Sequence, residues 1–256
     1  MTHIINKAIA VIYEKPNLNS PITDEGIYGM SCEILSEIND FYEINLFYGY
    51  KGFIKKNNLE EGMMQEYIVY SKFADLLPTP DYKFSSLITL PMGSRINVKE
   101  IFNSNFCEVI LNDNTIYYTH KKNIRYYSQI SNNLRENLIK TAQKYVGTPY
   151  RWGGKTPLGI DCSGLTFMSY YMNGYIIYRD ANFEKFNNMR EIPYLDIQKG
   201  DLLFFPGHIG MYLGDDMFIH STGSFGSVTI NSLDPKNVLY SEIHHRNLQI
   251  VATLEI

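Results

Sequence analysis

The sequence predicts an α+β protein: two small β-barrels in tandem, residues 1–64 and 65–128, followed by a mixed unit, residues 129–256. Three observations predict this. In the first half apolar residues alternate with a period of two, the mark of half-buried strands. A strand-and-turn pattern in that half recurs about 64 residues later. From Ser131 the period becomes helical, and strands return only after Gly200. Helices followed by a run of antiparallel strands describe an α+β unit.

The elements can be justified in order. Met1-Thr-His-Ile-Ile-Asn-Lys enters a strand at once. Val11-Ile-Tyr is the next, and Pro16, Asn17, Asn19 and Pro21 turn the chain after it. Tyr42, Ile44 and Leu46 alternate with polar residues. Tyr48-Gly-Tyr-Lys-Gly-Phe-Ile supplies a hairpin and a further strand. Phe41-Tyr-Glu-Ile-Asn-Leu resembles Asn105-Phe-Cys-Glu-Val-Ile-Leu, and Lys55-Lys-Asn-Asn-Leu resembles Lys121-Lys-Asn-Ile. Units of ~60 residues suit small barrels that fold alone, and one sandwich of ~125 residues is the alternative.

In the second half Leu134, Leu138, Ile139, Ala142, Tyr145 and Val146 share one helical face. Asn133 and Glu136 have the spacing of a capping box. Gly147 and Pro149 stop that helix. A second helix should start near Cys162, bury Leu165, Met168 and Met172, and end at Gly174. Strands are expected at 202–205, 208–213 and 217–221.

Composition removes several function classes. The net charge of −4 comes without a long run of like charge. A nucleic-acid partner would need a basic face to neutralise phosphates, so none is expected. Nothing approaches the ~18–20 apolar residues of a membrane helix, and no membrane partner is expected. The N-terminus lacks a charged region followed by an apolar one, so the chain reads as soluble and cytoplasmic, with secretion after removal of a signal peptide as the alternative. Three cysteines, Cys32, Cys107 and Cys162, do not make a disulfide framework.

The chemistry-bearing residues are Cys162, His208 and His220. Cys162 lies in Gly159-Ile-Asp-Cys-Ser-Gly-Leu, at a predicted helix start. A helix N-terminus favours a thiolate, the nucleophilic form, and a neighbouring imidazolium would favour it further. His208 and Gly210 share one face of the predicted strand His208-Ile-Gly-Met-Tyr-Leu. If Gly214-Asp-Asp is a three-residue hairpin loop, Leu213 pairs with Met217 and His220 lies opposite Gly210. The two histidines are then diagonal neighbours roughly 7–8 Å apart at the backbone. A register slip of one residue would separate them. In this arrangement His208 takes the thiol proton, and His220 holds the far nitrogen of His208.

Blander readings compete. A buried cysteine is usually a small hydrophobe. Zinc binding by one Cys and two His would need a fourth ligand and closer spacings than these, so no metal or cofactor is expected. Cys32 and Cys107 fall on predicted strands and read as inert. His3, His120, His244 and His245 have no constellation around them, and His244-His245 reads as a solvated pair.

With these motifs in place, the sequence resembles the NlpC/p60 family of bacterial cell-wall peptidases. The resemblance rests on Gly147-Thr-Pro-Tyr-Arg-Trp-Gly-Gly, Asp161-Cys-Ser-Gly-Leu, Gly200-Asp-Leu-Leu-Phe-Phe, Gly207-His-Ile-Gly-Met-Tyr-Leu-Gly and Phe218-Ile-His-Ser, in that order. It covers residues 130–256 and implies a papain-like catalytic domain. A subgroup places bacterial SH3-like domains ahead of that domain, as the two predicted barrels would. Its members cleave between γ-D-glutamate and a diamino acid, usually meso-diaminopimelate, in small peptidoglycan-derived peptides with a free L-alanine. Arg179-Asp-Ala resembles an element whose carboxylate, here Asp180, binds the alanine ammonium. The resemblance further implies Tyr150 as an oxyanion donor and Trp152 as a groove wall, with a core anchor as its alternative. Asp161 and Ser163 would bind substrate or hold the loop, and Asp201 would cap a turn. Glu14 and Tyr50 of the first barrel are candidates to reach the same ammonium. An amidase or acyltransferase of the same fold, and a silent wall-binding protein, are the competing functions.

Overall fold

The computed structural model describes residues 2–101, 105–128 and 132–255. The chain divides into two compact units, Met1–Tyr127 and Ser128–Ile256.

The first unit is built from strands. Seven of them, between His3 and Glu61, form one antiparallel sheet. Five others form a second sheet in the order Ile116–His120, Phe106–Ile110, Arg95–Ile101, Tyr67–Val69, Ile124–Tyr126, and Phe73–Leu76 pairs with Ile88–Pro91. The repeated sequence segments hold equivalent places. Phe41–Leu46 pairs with Lys51–Lys55, which runs into a 3-10 turn at Lys56–Asn58 and a strand at Leu59–Glu61. Phe106–Ile110 pairs with Ile116–His120, then come a 3-10 turn at Lys121–Asn123 and the strand Ile124–Tyr126. The two repeats share a core. Tyr28 and Ala8 of the first pack with Val69, Leu76, Ile96 and Val109 of the second. The backbone N–H of Arg95 donates to the Tyr28 carbonyl at 2.8 Å.

Among the described residues the second unit has three α-helices, α1 (Leu134–Gln143), α2 (Cys162–Tyr171) and α3 (Glu242–Asn247). Its antiparallel sheet runs Met189–Glu191, Ile250–Leu254, Leu202–Phe205, His208–Gly214, Met217–Thr222, Ser227–Ser232. All ten residues of α2 are buried, which a helix apolar on every side requires. It packs against α1 and against the strand His208–Gly214. Gly174, at φ +86°, follows its end.

Three expectations need correction. Asn133 does not cap α1: its backbone is left-handed, at φ +58°, and its side chain makes no cap bond. A capping side chain needs the extended backbone that aims it at the first turn. Glu136 instead accepts from Lys199 at 3.1 Å. Val146 leaves the buried face, because α1 ends at Gln143, and it is 46% exposed while Tyr145 stays fully buried. The hairpin loop is shorter than expected. Gly214, not Leu213, pairs with Met217, and a bulge at Leu213 precedes Tyr212 opposite Phe218. Asp215 and Asp216, at φ +51° and +55°, form a two-residue turn of the kind whose twist suits a hairpin. Turn and bulge together restore the register, with Met211 opposite Ile219.

Candidate active site

The site begins at the start of α2. Asp161 has an extended backbone, and its Oδ1 accepts the Gly164 N–H at 2.5 Å. Its Oδ2 accepts the Gly153 N–H at 2.8 Å. Arg179, 1% exposed, grips the same carboxylate with two nitrogens, at 3.0 and 3.1 Å. It also donates to Ser163 Oγ at 2.9 Å and to the Gly154 carbonyl at 3.3 Å. Such fork-to-fork pairs fix geometry as well as charge. Breaking a buried pair by removing one partner costs about 3–5 kcal/mol. Asp161 and Ser163 are therefore engaged in holding the helix start, where Cys162 is the first helical residue.

Cys162 is 9% exposed. Burial pushes its thiol up to about 11, and the Asp161 charge adds to this; the N–H groups of Ile209 and Ser163 and the charge of Arg179 oppose it. Loss of water thus works against the thiolate that the helix end favours. His208 is pushed the other way, to about 3, by burial first and then by the neighbouring charges of His220 and His244.

The histidines form a relay with a defined direction. His208 Nε2 lies 2.8 Å from His220 Nδ1, and His220 Nε2 lies 2.9 Å from Asn231 Oδ1. Asn231 Nδ2 donates to the Leu239 carbonyl at 3.1 Å, which fixes which amide atom faces His220. An amide oxygen only accepts, so His220 Nε2 carries a proton and its Nδ1 is bare. His208 must then donate from Nε2, which leaves Nδ1 of His208 as the base. The strand bearing His208 passes beside the thiol, since the N–H of the next residue, Ile209, bonds the sulfur. Gly210 permits the arrangement: a Cβ there would lie 3.0 Å from the Phe218 ring and 3.4 Å from the His220 Cβ.

Tyr150 is half-buried. Its phenol is pushed up to about 12 by burial and then by Cys162 and Asp161, so it stays a hydrogen-bond donor beside the sulfur. Trp152 is 68% exposed, which removes its reading as a core anchor. Asp180 is half-buried and directly follows Arg179, so the same guanidinium ties its loop to the helix start. Asp201 accepts from Arg135 at 2.7 Å, Thr253 at 2.7 Å and the Gln198 N–H at 2.8 Å. Glu14 and Tyr50 belong to the first unit: Glu14 is exposed after the strand Ile9–Tyr13, and Tyr50 donates to the Thr23 carbonyl at 3.4 Å.

His244 is not a solvated partner of His245. Its ring centroid lies 4.7 Å from that of His220 and 5.5 Å from that of His208, while His245 contacts Tyr240. Cys32 and Cys107 are buried in the first unit. Asn231, Arg179 and His244 are the site residues to which the sequence alone assigns no role. The signals for the first two are a polar residue in an alternating run and an arginine beside an already suspected aspartate.

A buried thiol at a helix start, beside a strand bearing a tautomer-held imidazole, is the equipment of a cysteine peptidase. The NlpC/P60 family matches residues 147–246, which contain Cys162, His208, His220 and Asn231. The chain belongs to that family and is a cysteine peptidase. It is 36% identical to dipeptidyl-peptidase 6 of Lysinibacillus sphaericus, over 94% of this chain and 95% of that one. It is 29% identical to a γ-D-glutamyl-L-lysine dipeptidyl-peptidase of Bacillus subtilis, over 72% of this chain and 64% of that one. The crystal structure of an NlpC/P60 family protein from Bacillus cereus has the same fold, at a TM-score of 0.84, 19% identity and 98% coverage of both chains.

Proposed function

We propose that the protein cleaves the bond between γ-D-glutamate and a diamino acid in cell-wall peptides that begin with a free L-alanine, during murein peptide recycling in the cytoplasm. The observation that carries this reading is the near full-length match to a dipeptidyl-peptidase. Removing a dipeptide requires an enzyme to measure two residues from a free amine, and an ammonium is measured by a fixed carboxylate. Asp180, on the loop anchored by Arg179, is that carboxylate. The γ-carbonyl of D-glutamate then lies at Cys162. As the sulfur attacks, its proton passes to Nδ1 of His208. The Cys162 N–H, which at the first turn of α2 has no partner within the helix, and the Tyr150 hydroxyl receive the developing oxyanion. His208 returns the proton to the leaving amine, and water hydrolyses the thioester. In this reading the second unit is papain-like and the two repeats of the first are SH3-like barrels. The name of the second relative specifies lysine; lysine and diaminopimelate peptides share the γ-D-glutamyl link on which the chemistry acts.

Mass spectrometry of products from defined peptides tests this. L-Ala-γ-D-Glu-diaminopimelate and its lysine analogue should release L-Ala-D-Glu, and N-acetylated versions should not. Equal cleavage of acetylated peptides would sink the free-amine requirement. Asp180→Asn should raise KM for the free-amine peptide by roughly 10- to 100-fold, the value of a charge-assisted hydrogen bond.

A further inference from the structure

Three imidazoles meet in the second unit, two from neighbouring strands and one from α3. One ring nitrogen from each of His208, His220 and His244 lies within 4.8 Å of those of the other two. We propose that these three histidines form a zinc-capturing site, and that zinc there switches the enzyme off. The proposal rests on the geometry of the histidines and not on the substrate assigned above.

Zinc with imidazole ligands at ~2.0–2.1 Å needs nitrogens roughly 3.4 Å apart in a tetrahedral arrangement. To reach that spacing the 2.8 Å His208–His220 pair has to open and the rings turn toward a common point, while nitrogens up to 4.8 Å apart close in. The outer contacts fit as well. His220 uses Nε2 on Asn231 Oδ1 at 2.9 Å, and His244 uses Nδ1 on Ser241 Oγ at 2.6 Å. Histidine ligands are oriented by such bonds from the ring nitrogen that does not bind metal. The nitrogens left to the metal are Nε2 of His208, Nδ1 of His220 and Nε2 of His244. Phe205 and Phe218 flank His244, at 5.0 and 5.3 Å between ring centroids, and give the cluster an apolar wall. Imidazole donors select zinc, copper or nickel over hard cations.

Occupancy would stop catalysis through a proton shift. In the free enzyme His208 holds its proton on Nε2 and offers the Nδ1 lone pair to the thiol. When zinc takes the Nε2 lone pair, that proton moves to Nδ1 of the same ring and none is lost. The Nδ1–H can no longer accept the proton of Cys162. The hydrogen bond between His208 and His220 is replaced by two bonds to the metal, with the remaining coordination position left to water.

The test uses the full chain carrying Cys162→Ala, so that no thiol competes for metal. Calorimetric titration with zinc chloride should show one equivalent bound at low micromolar Kd. Cobalt chloride should give the intense visible absorption of a tetrahedral site. His244→Phe in the same background should weaken zinc binding by about tenfold or more. With Cys162 present, zinc should inhibit and a chelator should restore activity. His244→Phe should need about tenfold more zinc for half-inhibition, read against that variant's own zinc-free rate. His244→Gln, read beside circular dichroism, covers the case in which Phe disturbs α3. Absence of stoichiometric binding to the Cys162→Ala protein would overturn the proposal. So would equal zinc sensitivity in the well-folded His244 variants.

Discussion

Cys32 in the first unit and Cys162 in the second are both buried thiols, 2% and 9% exposed. Cys32 sits on the strand Ser31–Ile38, and burial alone pushes its thiol up to about 12. Cys162 is displaced nearly as far, to about 11, but two backbone N–H groups and Arg179 pull against the burial. It also begins a helix, and the strand that bears His208 passes beside it. The difference teaches that burial only mutes a thiol. What makes one a nucleophile is a set of donors aimed at the sulfur and a base whose free lone pair is decided by its neighbours.

The largest expected effect tests that contrast directly. Cys162→Ala should lower kcat/KM by a factor on the order of 10⁴ or more, as removal of other such nucleophiles does. Cys32→Ala should leave kcat/KM within about twofold and cost stability of roughly 1–2 kcal/mol through the vacated volume. Peptide hydrolysis and urea denaturation of both variants measure this, and a folded but inactive Cys32→Ala would break the comparison. Next in size is the relay. Asn231→Leu frees the tautomer of His220, and kcat should fall about 10- to 100-fold with KM little changed, a step removed from the loss when a directly bonded orienting residue is changed. Asn231→Asp keeps an acceptor for His220 Nε2 and should recover most of the rate.

The smallest effect is a pH dependence confined to the second unit. The folded values of His208 and His220, about 3 and about 4, lie below the ordinary 6.5. Burial is the first cause for both. Between those values the unfolded chain binds more protons than the folded one, so stability falls as pH drops below about 6.5. Unfolding free energy should be about 1–2 kcal/mol lower at pH 5 than at pH 7, after discounting for partial exposure of His208. Denaturation curves across that range check it. His208→Gln should flatten the slope, whereas Cys32→Ala should not change it.

Much of the site was legible because its signals are local. The helix start at Cys162 follows from a run of buried residue types after an N-cap aspartate. The shared face of His208 and His220 follows from strand parity. The parity survives a different loop length, because a two-residue turn plus one bulged residue counts the same as a three-residue loop. The repeats of the first unit showed in sequence, but their shared core did not: Tyr28 and Val69 meet only through tertiary packing. Asn231 stayed hidden for a similar reason. It becomes a partner of His220 once Ser227–Ser232 pairs with Met217–Thr222 and sets Thr229 opposite His220, with Asn231 on the diagonal. Arg179 reaches Asp161 across 18 residues of sequence, and no spacing rule announces such a pair. His244 lies on a six-residue helix, too short for periodicity to reveal.

The bulge at Leu213 has a consequence for how this chain can diverge. Hairpin tips normally accept insertions and deletions with little penalty. Here a single residue gained or lost at Asp215-Asp216, with no matching change in the bulge, would turn His220 to the opposite face of the sheet. Descendants can therefore vary the composition of the tip but not its length. A sequence alignment that opens one gap there will place the second histidine on the wrong residue.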